Sequence, residues 1–424
     1  MKIKTKPLPY DEVMRLPRPA HKKPRRPNPL LRAVARVAGA GDLKSARFTY
    51  TTERMDAVGD EPALILMNHS SFIDLEIAAR VFRERPYCIV CTSDGFVGKE
   101  ALLRAIGCIP THKFVTDVGL VADMRHALRA ERCSVLLYPE ASYSFDGCAT
   151  PLPRRLGVLL KRLDVPVIGV LTEGAFSRDP LYNGLQKRDV AVSAVVRGLL
   201  SRDEVREKSV AELDAVLDAM FSFDSFAWQE QHRVVIDEPF RADGLHRILY
   251  KCPRCGAEGA TEGKGARLVC HNCGATYELD TLGRMRAMSG ETEFPHIPDW
   301  YAWERAEVRR ELEAGTYRLD TEVEIGMLVD FKAIYLVGAG RLRHDERGFT
   351  LDGCGGALHF ERPANRCYSL YADYYWYELG DMICIGDNDA QYYCFPKGNV
   401  PVAKARLAAE ELYKLSRRSR TENL

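Results

Sequence analysis

The sequence predicts an α/β domain with a mostly parallel, helix-covered sheet, then a small four-cysteine zinc ribbon and a β-rich C-terminal domain closed by a helix. Apolar runs alternate with helical patterns from Ala63 to Val196, two Cys-x-x-Cys pairs lie within 252–273, and β-like runs follow. Helix-length connections between short strands indicate parallel pairing. We divide the 424 residues into a basic N-terminal arm (1–45), the α/β domain (46–248), the zinc ribbon (249–284) and the C-terminal domain (299–417).

The composition is ordinary for a folded soluble protein, with 46% hydrophobic and 28% charged residues, and it excludes a wholly disordered chain. The longest stretch without Asp, Glu, Lys or Arg is Pro62 to Ile73, twelve residues. A membrane-spanning helix needs about twenty. Because no apolar signal segment follows the first Met, we expect a reducing cytoplasm, where most of the 13 cysteines are small buried hydrophobes.

The N-terminal arm is strongly basic. Residues 1–36 hold eleven Lys or Arg and two acids, a net charge of +9, which leaves about −8 for the rest of the chain. The arm is either a solvated, partly disordered tail or a tether to anionic lipid, with a short amphipathic helix near Leu30 to Val37. The acidic body argues against nucleic acid, so no nucleic-acid partner is expected. We expect a cytoplasmic protein, peripheral on the inner face of the cell membrane.

The α/β domain alternates strands and helices. Its predicted strands are Ala63–Met67, Cys88–Ser93, Ser134–Tyr138, Pro166–Thr172 and Val190–Val196. Its predicted helices are Phe72–Arg83, Lys99–Ile106, Val118–Glu131 and Pro153–Leu163, with a further helical stretch over Asp203–Met220. This alternation is typical of a largely parallel sheet.

Three pairs of His and Asp lie five residues apart: His69/Asp74, His112/Asp117 and His232/Asp237. The last pair flanks an extended-looking run, in which five steps span about 16 Å and put the side chains on opposite faces. His69 instead follows an apolar strand, and a turn into a helix can fold Asp74 back onto its imidazole. That place is the carboxyl end of a strand, where open α/β sheets bind ligands. Alternatively, Ser71 and Asp74 form a helix capping box.

Four motifs, in order over residues 63–170, resemble those of the glycerolipid acyltransferases, the family of 1-acyl-sn-glycerol-3-phosphate acyltransferases. They are NHSSFID at 68–74, GCIPTHK at 107–113, YPEASYS at 138–144 and VPVIGV at 165–170. The resemblance implies that His69 and Asp74 are catalytic. It also implies substrate-binding roles for Asn68, Gly107, Lys113, Glu140, Ser142, Tyr143 and Pro166.

The resemblance further implies an activity. A fatty acyl group would pass from acyl-CoA or acyl carrier protein to the hydroxyl of a lysolipid, most directly 1-acyl-glycerol-3-phosphate, giving phosphatidic acid. His69 would take the hydroxyl proton while Asp74 orients the imidazole, and no acyl-enzyme is needed. Glu140 would bind substrate or organise the site; alternatively, it is a strand-end carboxylate bonded to a local loop.

Two positions depart from the family's third motif: Ala141 stands where Gly is usual, and Tyr143 where Arg is usual. That Arg is thought to help hold the acceptor's phosphate, and Tyr brings no charge. Lys113, Arg154 or Arg155 are candidates to replace it. An acyltransferase with a non-phosphate acceptor therefore stays open, as does a plain packing role for Tyr143.

The two Cys pairs are Cys252/Cys255 and Cys270/Cys273, fourteen residues apart. Four thiolates at this spacing are typical of a tetrahedral zinc site, and four protein ligands leave no open position, so the Zn²⁺ would be structural. The alternative is two disulfide or redox pairs, which a reducing compartment disfavours. Because zinc ribbons often bind nucleic acid or protein, a non-enzymatic zinc-ribbon binding protein is the second functional hypothesis.

The C-terminal region carries short β-like runs and a closing helix. The runs are Val323–Val329, Ala333–Val337, Tyr368–Tyr371 and Gln391–Phe395, and the helix is near Val402–Leu415. Six aromatic residues within 368–377 belong to the core and faces of a sheet, or else form a lipid or partner platform. No catalytic constellation is visible there.

Overall fold

The structure is a computed structural model that describes residues 2–153 and 155–421. Its N-terminal arm lies on the body and is regular in part: it contains strand β1 (Thr5–Pro7) and helices α1 (Tyr10–Met14) and α2 (Pro29–Ser45). Strand β1 pairs in parallel with residues 334–336 of the C-terminal domain. Helix α2 begins after Asn28, whose side chain accepts hydrogen bonds from two amides of the first turn. A disordered tail does not fit this arrangement.

The α/β domain holds a seven-stranded mixed sheet with the order β2-β8-β7-β3-β6-β4-β5. Its strands are β2 (Thr49–Glu53), β3 (Leu64–Met67), β4 (Tyr87–Thr92), β5 (Cys108–Thr111), β6 (Ser134–Leu137), β7 (Val167–Glu173) and β8 (Ser193–Leu200). Only β7 and β8 pair antiparallel among these neighbours. The expected mostly parallel sheet is therefore present.

Helices cover both faces of this sheet. They are α3 (Ile73–Val81), α4 (Glu100–Ala105), α5 (Val118–Arg129), α6 (Leu156–Leu163), α7 (Ala175–Arg178), α8 (Arg202–Glu207), α9 (Val210–Met220) and α10 (Ser225–Gln231). In β3, Leu64 and Leu66 face one apolar cluster with α5, α6 and α9, whereas Ile65 and Met67 face the other with α3. Burial on both faces explains why this strand reads as an unbroken apolar run.

Three sequence predictions need correction. The fifth strand, expected at Val190–Val196, begins and ends later, and the strands β2 and β5 were not predicted. The helical stretch Asp203–Met220 is two helices, because Ser209 forms a capping box with Glu212 that starts a new helix.

The zinc-ribbon segment is a four-stranded antiparallel sheet of β9 (Thr261–Lys264), β10 (Arg267–Cys270), β11 (Thr276–Leu279) and β12 (Met285–Ala287). Helix α11 (Ile297–Glu313) follows it. Buried Tyr277 of the ribbon packs edge-on against Trp300 of α11, with ring centroids 5.0 Å apart. The ribbon is thus part of the core that it shares with the C-terminal domain.

The C-terminal domain is a curved antiparallel sheet with the order β16-β15-β14-β13-β19-β18-β17. Its strands are β13 (Leu319–Leu328), β14 (Ile334–Asp345), β15 (Gly348–Gly353), β16 (Leu358–Pro363), β17 (Tyr371–Trp376), β18 (Gly380–Gly386) and β19 (Gln391–Pro396), and helix α12 (Val402–Thr421) closes the domain. Among the described helices, none is both long and apolar enough to cross a membrane.

The C-terminal domain lies against the α/β domain at the carboxyl ends of the parallel strands. Asp94 follows β4, and its Oδ2 accepts hydrogen bonds from Tyr371 Oη (3.1 Å) and Trp376 Nε1 (3.2 Å). The Arg362 guanidinium donates to the carbonyl of Phe114 at 2.6 Å. Buried contacts of this kind fix the hairpin β17–β18 over the edge of the sheet that carries His69.

Candidate active site

His69 follows β3 directly, and the turn after it folds Asp74 back toward the imidazole. His69 Nδ1 and Asp74 Oδ2 are 3.0 Å apart, and the same oxygen accepts the backbone N–H of Ser70 (2.8 Å) and Ser71 (3.1 Å). Asp74 is fully buried, while the His69 side chain keeps 14% exposure. The Ser71 side chain caps no amide of α3, so the capping box is not formed, although Asp74 accepts the Ser71 N–H.

The other two His and Asp pairs are not joined within the described part of the chain. Asp117 instead caps α5 by accepting the N–H of Leu120 at 3.0 Å. His232 bonds through Nδ1 to the carbonyl of Trp228, and the residues after it form no strand, contrary to the extended segment expected there. Of these three pairs five residues apart, His69 and Asp74 alone are hydrogen-bonded to each other in the described structure.

The His69 ring lies between two tyrosine rings. Its centroid is 3.9 Å from that of Tyr138 and 3.9 Å from that of Tyr143, with interplanar angles of 20° and 28°. This sandwich fixes the plane of the imidazole. From the sequence, Tyr143 was a residue without the family's charge, with a packing role left open. The signal for stacking was the presence of two tyrosines, Tyr138 and Tyr143, in the third motif.

Burial changes the pKa of both members of the pair. Burial, with the charge of Lys113, lowers the pKa of His69 well below its usual value. Burial raises the pKa of Asp74 to about 7, although the amides of Ser70 and Ser71 oppose this shift. The imidazole is therefore neutral near pH 7. Because Nδ1 faces Asp74, Nε2 is the nitrogen available to take a proton.

Asn68 and Glu140 hold the loops around His69. Glu140 Oε1 accepts the His69 backbone N–H at 3.2 Å, and Oε2 accepts from the amide and hydroxyl of Thr150. Asn68 Oδ1 accepts the N–H of Thr172 at 2.8 Å, tying the end of β3 to β7. Both side chains are buried away from the cavity described below. In this structure they organise the site, as was expected for Glu140 as one of its two roles, while a direct contact of either residue with substrate stays a prediction.

Gly107 and Pro166 lie at the opposite edge of the sheet. Gly107 directly precedes β5 and Pro166 directly precedes β7, so both lie at the amino ends of their strands. Neither residue lines the cavity. Gly107 has a φ of +88°, and an added Cβ would come within 2.6 Å of the ring of Pro27. Their substrate contact stays a prediction, and the turn and the packing against the arm explain the glycine at 107.

The third-motif loop is held by the C-terminal domain. Ser142 is buried off the cavity wall, and its hydroxyl accepts a hydrogen bond from the Arg406 guanidinium at 2.9 Å. Ala141 has a φ of +57°, in the left-handed region that favours glycine. This conformation explains why the resembled family places Gly there.

A cavity of about 1000 Å³ opens beside His69. This is the upper end of the usual range for ligand pockets. Its floor comes from the α/β domain, including Phe72 and Leu75 near the pair of His69 and Asp74. Its roof comes from the C-terminal domain, and is formed by Tyr368, Tyr371, Asp373, Tyr374, Tyr375, Trp376, Tyr377 and Glu378. The aromatic run thus contributes both to the sheet and to the cavity wall.

The cavity wall carries charges of both signs. Among the residues proposed to replace the family's Arg, Lys113 lines the cavity, Arg155 does not, and Arg154 lies outside the described residues. The Lys113 ammonium lies 4.1 Å from the centroid of the Tyr371 ring. Arg366 is the other cation of the wall, and the acids are Asp94, Asp373 and Glu378.

The four cysteines converge in the ribbon. Their Sγ atoms all lie within 4.8 Å of one another, with Cys252–Cys273 and Cys255–Cys270 both at 3.7 Å. A tetrahedron with Zn–S bonds of about 2.3 Å has edges of about 3.8 Å. The donor set therefore fits Zn²⁺, and four thiolates leave no position for substrate. None of the four residues lines the cavity, and all four are free cysteines, so the structure contains neither of the two disulfides of the alternative.

Comparison with known proteins agrees with this reading of the α/β domain. Residues 47–172, less than a third of the chain, match the family model described as Acyltransferase. No curated protein matches the sequence. A similar solved structure is the 1-acyl-sn-glycerophosphate (LPA) acyltransferase PlsC from Thermotoga maritima, 15% identical over 45% of this chain and 78% of that one; its TM-score of 0.32 is too low to argue from. The segment 47–172 is thus similar to the acyltransferase family over the part of the α/β domain that holds His69 and Asp74.

Proposed function

We propose that the protein is an O-acyltransferase that moves a fatty acyl group from a carrier thioester, acyl-CoA or acyl carrier protein, to a hydroxyl of a lysolipid. The observation that carries this proposal is the pair of His69 and Asp74, 3.0 Å apart, at the wall of a cavity of about 1000 Å³. The pair lies inside the segment that matches the acyltransferase family.

In this reaction His69 Nε2 takes the proton of the acceptor hydroxyl as that oxygen attacks the thioester carbonyl carbon. The tetrahedral intermediate then collapses, the C–S bond breaks, and the imidazolium gives its proton to the leaving thiolate. The products are an ester and a free thiol. Asp74 keeps the proton on Nδ1 and stabilises the imidazolium, while the rings of Tyr138 and Tyr143 hold its plane. No covalent acyl-enzyme is required.

The resemblance favours 1-acyl-glycerol-3-phosphate as acceptor and phosphatidic acid as product, and Lys113 on the cavity wall is suited to a phosphate group. A non-phosphate acceptor is the second candidate, because Tyr143 replaces the family's Arg and three acids share the cavity wall.

The decisive experiment measures thiol release and product mass. Purified protein is incubated with labelled acyl-CoA, or acylated carrier protein, and a panel of lysolipids. We expect thiol release that depends on the lysolipid, together with a product heavier by one acyl group. A binding protein without activity would release no thiol above the rate without enzyme, and this result would overturn the proposal.

We further propose that the protein binds the inner face of the cell membrane from the cytoplasm, with Zn²⁺ in a structural role. Helix α2 exposes Leu30 (72%), Val34 (56%) and Val37 (76%) along one side, within an arm of net charge +9. An exposed apolar stripe among basic residues is suited to the surface of an anionic bilayer.

A further inference from the structure

The hairpin β17–β18 brings a carboxylate into the cavity that the acyltransferase-family domain does not supply. Asp373 lies on β17 and lines the cavity together with His69 and Lys113. One of its oxygens accepts the N–H of Tyr374 at 2.8 Å, which fixes the side chain. The hairpin is anchored to the α/β domain, because Tyr371 and Trp376 both donate to Asp94.

Lys113 and Asp373 have opposite charges but do not form an ion pair. No Lys113 nitrogen lies within 4.0 Å of a carboxylate oxygen in the described part of the chain. The ammonium instead lies over the Tyr371 ring. Burial lowers the pKa of Lys113 and raises that of Asp373 to about 7, and the charge of each opposes the shift of the other. A bound molecule that carries one negative and one positive charge could pair with both the Lys113 ammonium and the Asp373 carboxylate.

Two aromatic residues near Asp373 suit the positive end of such a molecule. Trp376 and Tyr377 line the cavity, and ring faces attract ammonium groups, most strongly when these are desolvated. Tyr375 and Tyr377 have positive φ values, 49° and 46°, which bulky side chains seldom adopt. The hairpin thus keeps an unfavourable backbone conformation at the point where it faces the cavity.

We propose that this hairpin is the headgroup subsite and that the acceptor is a zwitterionic lysolipid, whose phosphate binds Lys113 and whose ammonium binds Asp373 between the aromatic rings. This inference rests on the proposed acyltransferase function, and it replaces the 1-acyl-glycerol-3-phosphate acceptor that the resemblance alone favours. A phosphate monoester, with up to two negative charges and no cation, would leave Asp373 unpaired and would meet repulsion from Asp94.

The test compares acceptors that share one acyl chain: 1-acyl-glycero-3-phosphoethanolamine, 1-acyl-glycero-3-phosphocholine and 1-acyl-glycerol-3-phosphate. For the wild type we expect kcat/KM at least about tenfold higher for the two zwitterions, since a charged contact of this kind is worth about that factor. Asp373→Asn keeps an acceptor for the Tyr374 amide, and we expect it to remove most of that preference. A preference for the monoester in the wild type would overturn the inference.

Asp381→Asn is the matched control. Asp381 lies on the same hairpin and accepts the N–H of Tyr375 at 2.8 Å, but it does not line the cavity. We expect this variant to keep the wild-type preference, and an equal loss in both variants would contradict a role for the Asp373 charge.

A second readout separates this inference from the proposed function. Calorimetric binding of the same three lysolipids, with chains short enough to stay monomeric, uses the His69→Ala protein and needs no turnover. Absence of thiol release with every acceptor would contradict the acyltransferase function alone. Tighter binding of the zwitterions, lost in His69→Ala/Asp373→Asn, would still support the subsite, and equal binding of all three would overturn it.

Discussion

Arg406 on the terminal helix donates a hydrogen bond to Ser142 Oγ at 2.9 Å, joining the last element of the chain to the third acyltransferase motif. Its guanidinium also donates to the carbonyl of Tyr143 (3.3 Å) and pairs with Glu410 (3.2 Å) at 3% exposure. Because the Tyr143 ring stacks on His69, the C-terminal domain holds one side of the His69 imidazole in place.

We predict that Arg406→Met destabilises the protein by about 3–5 kcal/mol, since it leaves Glu410 buried with one partner fewer. Denaturation in urea measures this loss. Arg406→Met/Glu410→Met should recover part of it, because removing both charges removes the cost of burying them. As control, Arg318→Met breaks an exposed ion pair with Glu346 and should cost less than about 1 kcal/mol. Equal losses for Arg406→Met and Arg318→Met would show that the buried contact stabilises little.

His69→Ala should lower kcat by about 10²–10⁴ without unfolding the protein, because it removes the general base. Steady-state thiol release measures the effect, and circular dichroism checks the fold. His232→Ala is the control, since His232 is exposed and bonded only within α10 and its cap. His112 lines the cavity, so His112→Ala should affect KM more than kcat. Similar losses of kcat in His69→Ala and His232→Ala would exclude His69 as the base.

The pH dependence of kcat/KM should report the pair of His69 and Asp74. For His69 to act as a base, its Nε2 must carry no proton and the Asp74 carboxyl must be ionised. The pKa of Asp74 is raised to about 7. We therefore expect kcat/KM to fall about tenfold per unit as pH decreases below 7, and to level off above it. In Asp74→Asn the activity should drop, and the inflection should move to lower pH, because burial lowers the pKa of His69. An inflection that stays near 7 in this variant would assign it to another group.

The sequence allowed us to predict those features that depend on residues close together in the chain. The strand before His69 is an unbroken apolar run, its Asp74 lies within one turn, and the four cysteines have a fixed spacing. It could not find contacts made by distant segments. The sequence around Ser142 does not indicate that Arg406, 264 residues away, is its hydrogen-bond partner. The sequence around Lys113 likewise does not indicate that Asp373 lines the same cavity. Such partners depend on how domains pack, and one sequence alone carries no record of that packing.

The arm shows the same limit. Its prolines and charges are typical of a free tail, yet Val13 is fully buried and β1 extends the C-terminal sheet. Local composition did not predict these long-range contacts. Gly107 and Pro166 also show it: their motifs were assigned to substrate contact, and the structure places both just before the amino ends of their strands, away from His69.

We predict one Zn²⁺ per chain, bound by the four ribbon cysteines and required for stability only. Cys270→Ser should lower the zinc content, measured by elemental analysis, and lower Tm, because the ribbon packs against Trp300 in the core. Cys354→Ser, a half-buried cysteine outside the ribbon, should keep the metal. Immediate loss of acyl transfer in a mild chelator, with the fold intact and with recovery on adding Zn²⁺, would contradict the structural role.

The membrane prediction concerns the exposed face of α2. Deleting the arm is a poor test, since it would remove the buried Val13 from the core. We instead substitute all three exposed residues in Leu30→Gln/Val34→Gln/Val37→Gln, which leaves the charge of the arm unchanged. Co-sedimentation with vesicles rich in anionic lipid should weaken by about 10- to 100-fold, because the apolar contact with the acyl region is lost.

The matched control is Val235→Gln/Met288→Gln, which removes two similarly exposed apolar side chains outside α2. This control should bind vesicles as the wild type does. Binding of the wild type should also weaken as salt rises, since charges on the arm are screened beyond about 8 Å at physiological ionic strength. If the triple variant binds anionic vesicles as tightly as the control, α2 is not the contact surface. The exposed rim of the cavity at Phe72, Leu75 and Tyr375 then becomes the surface to test.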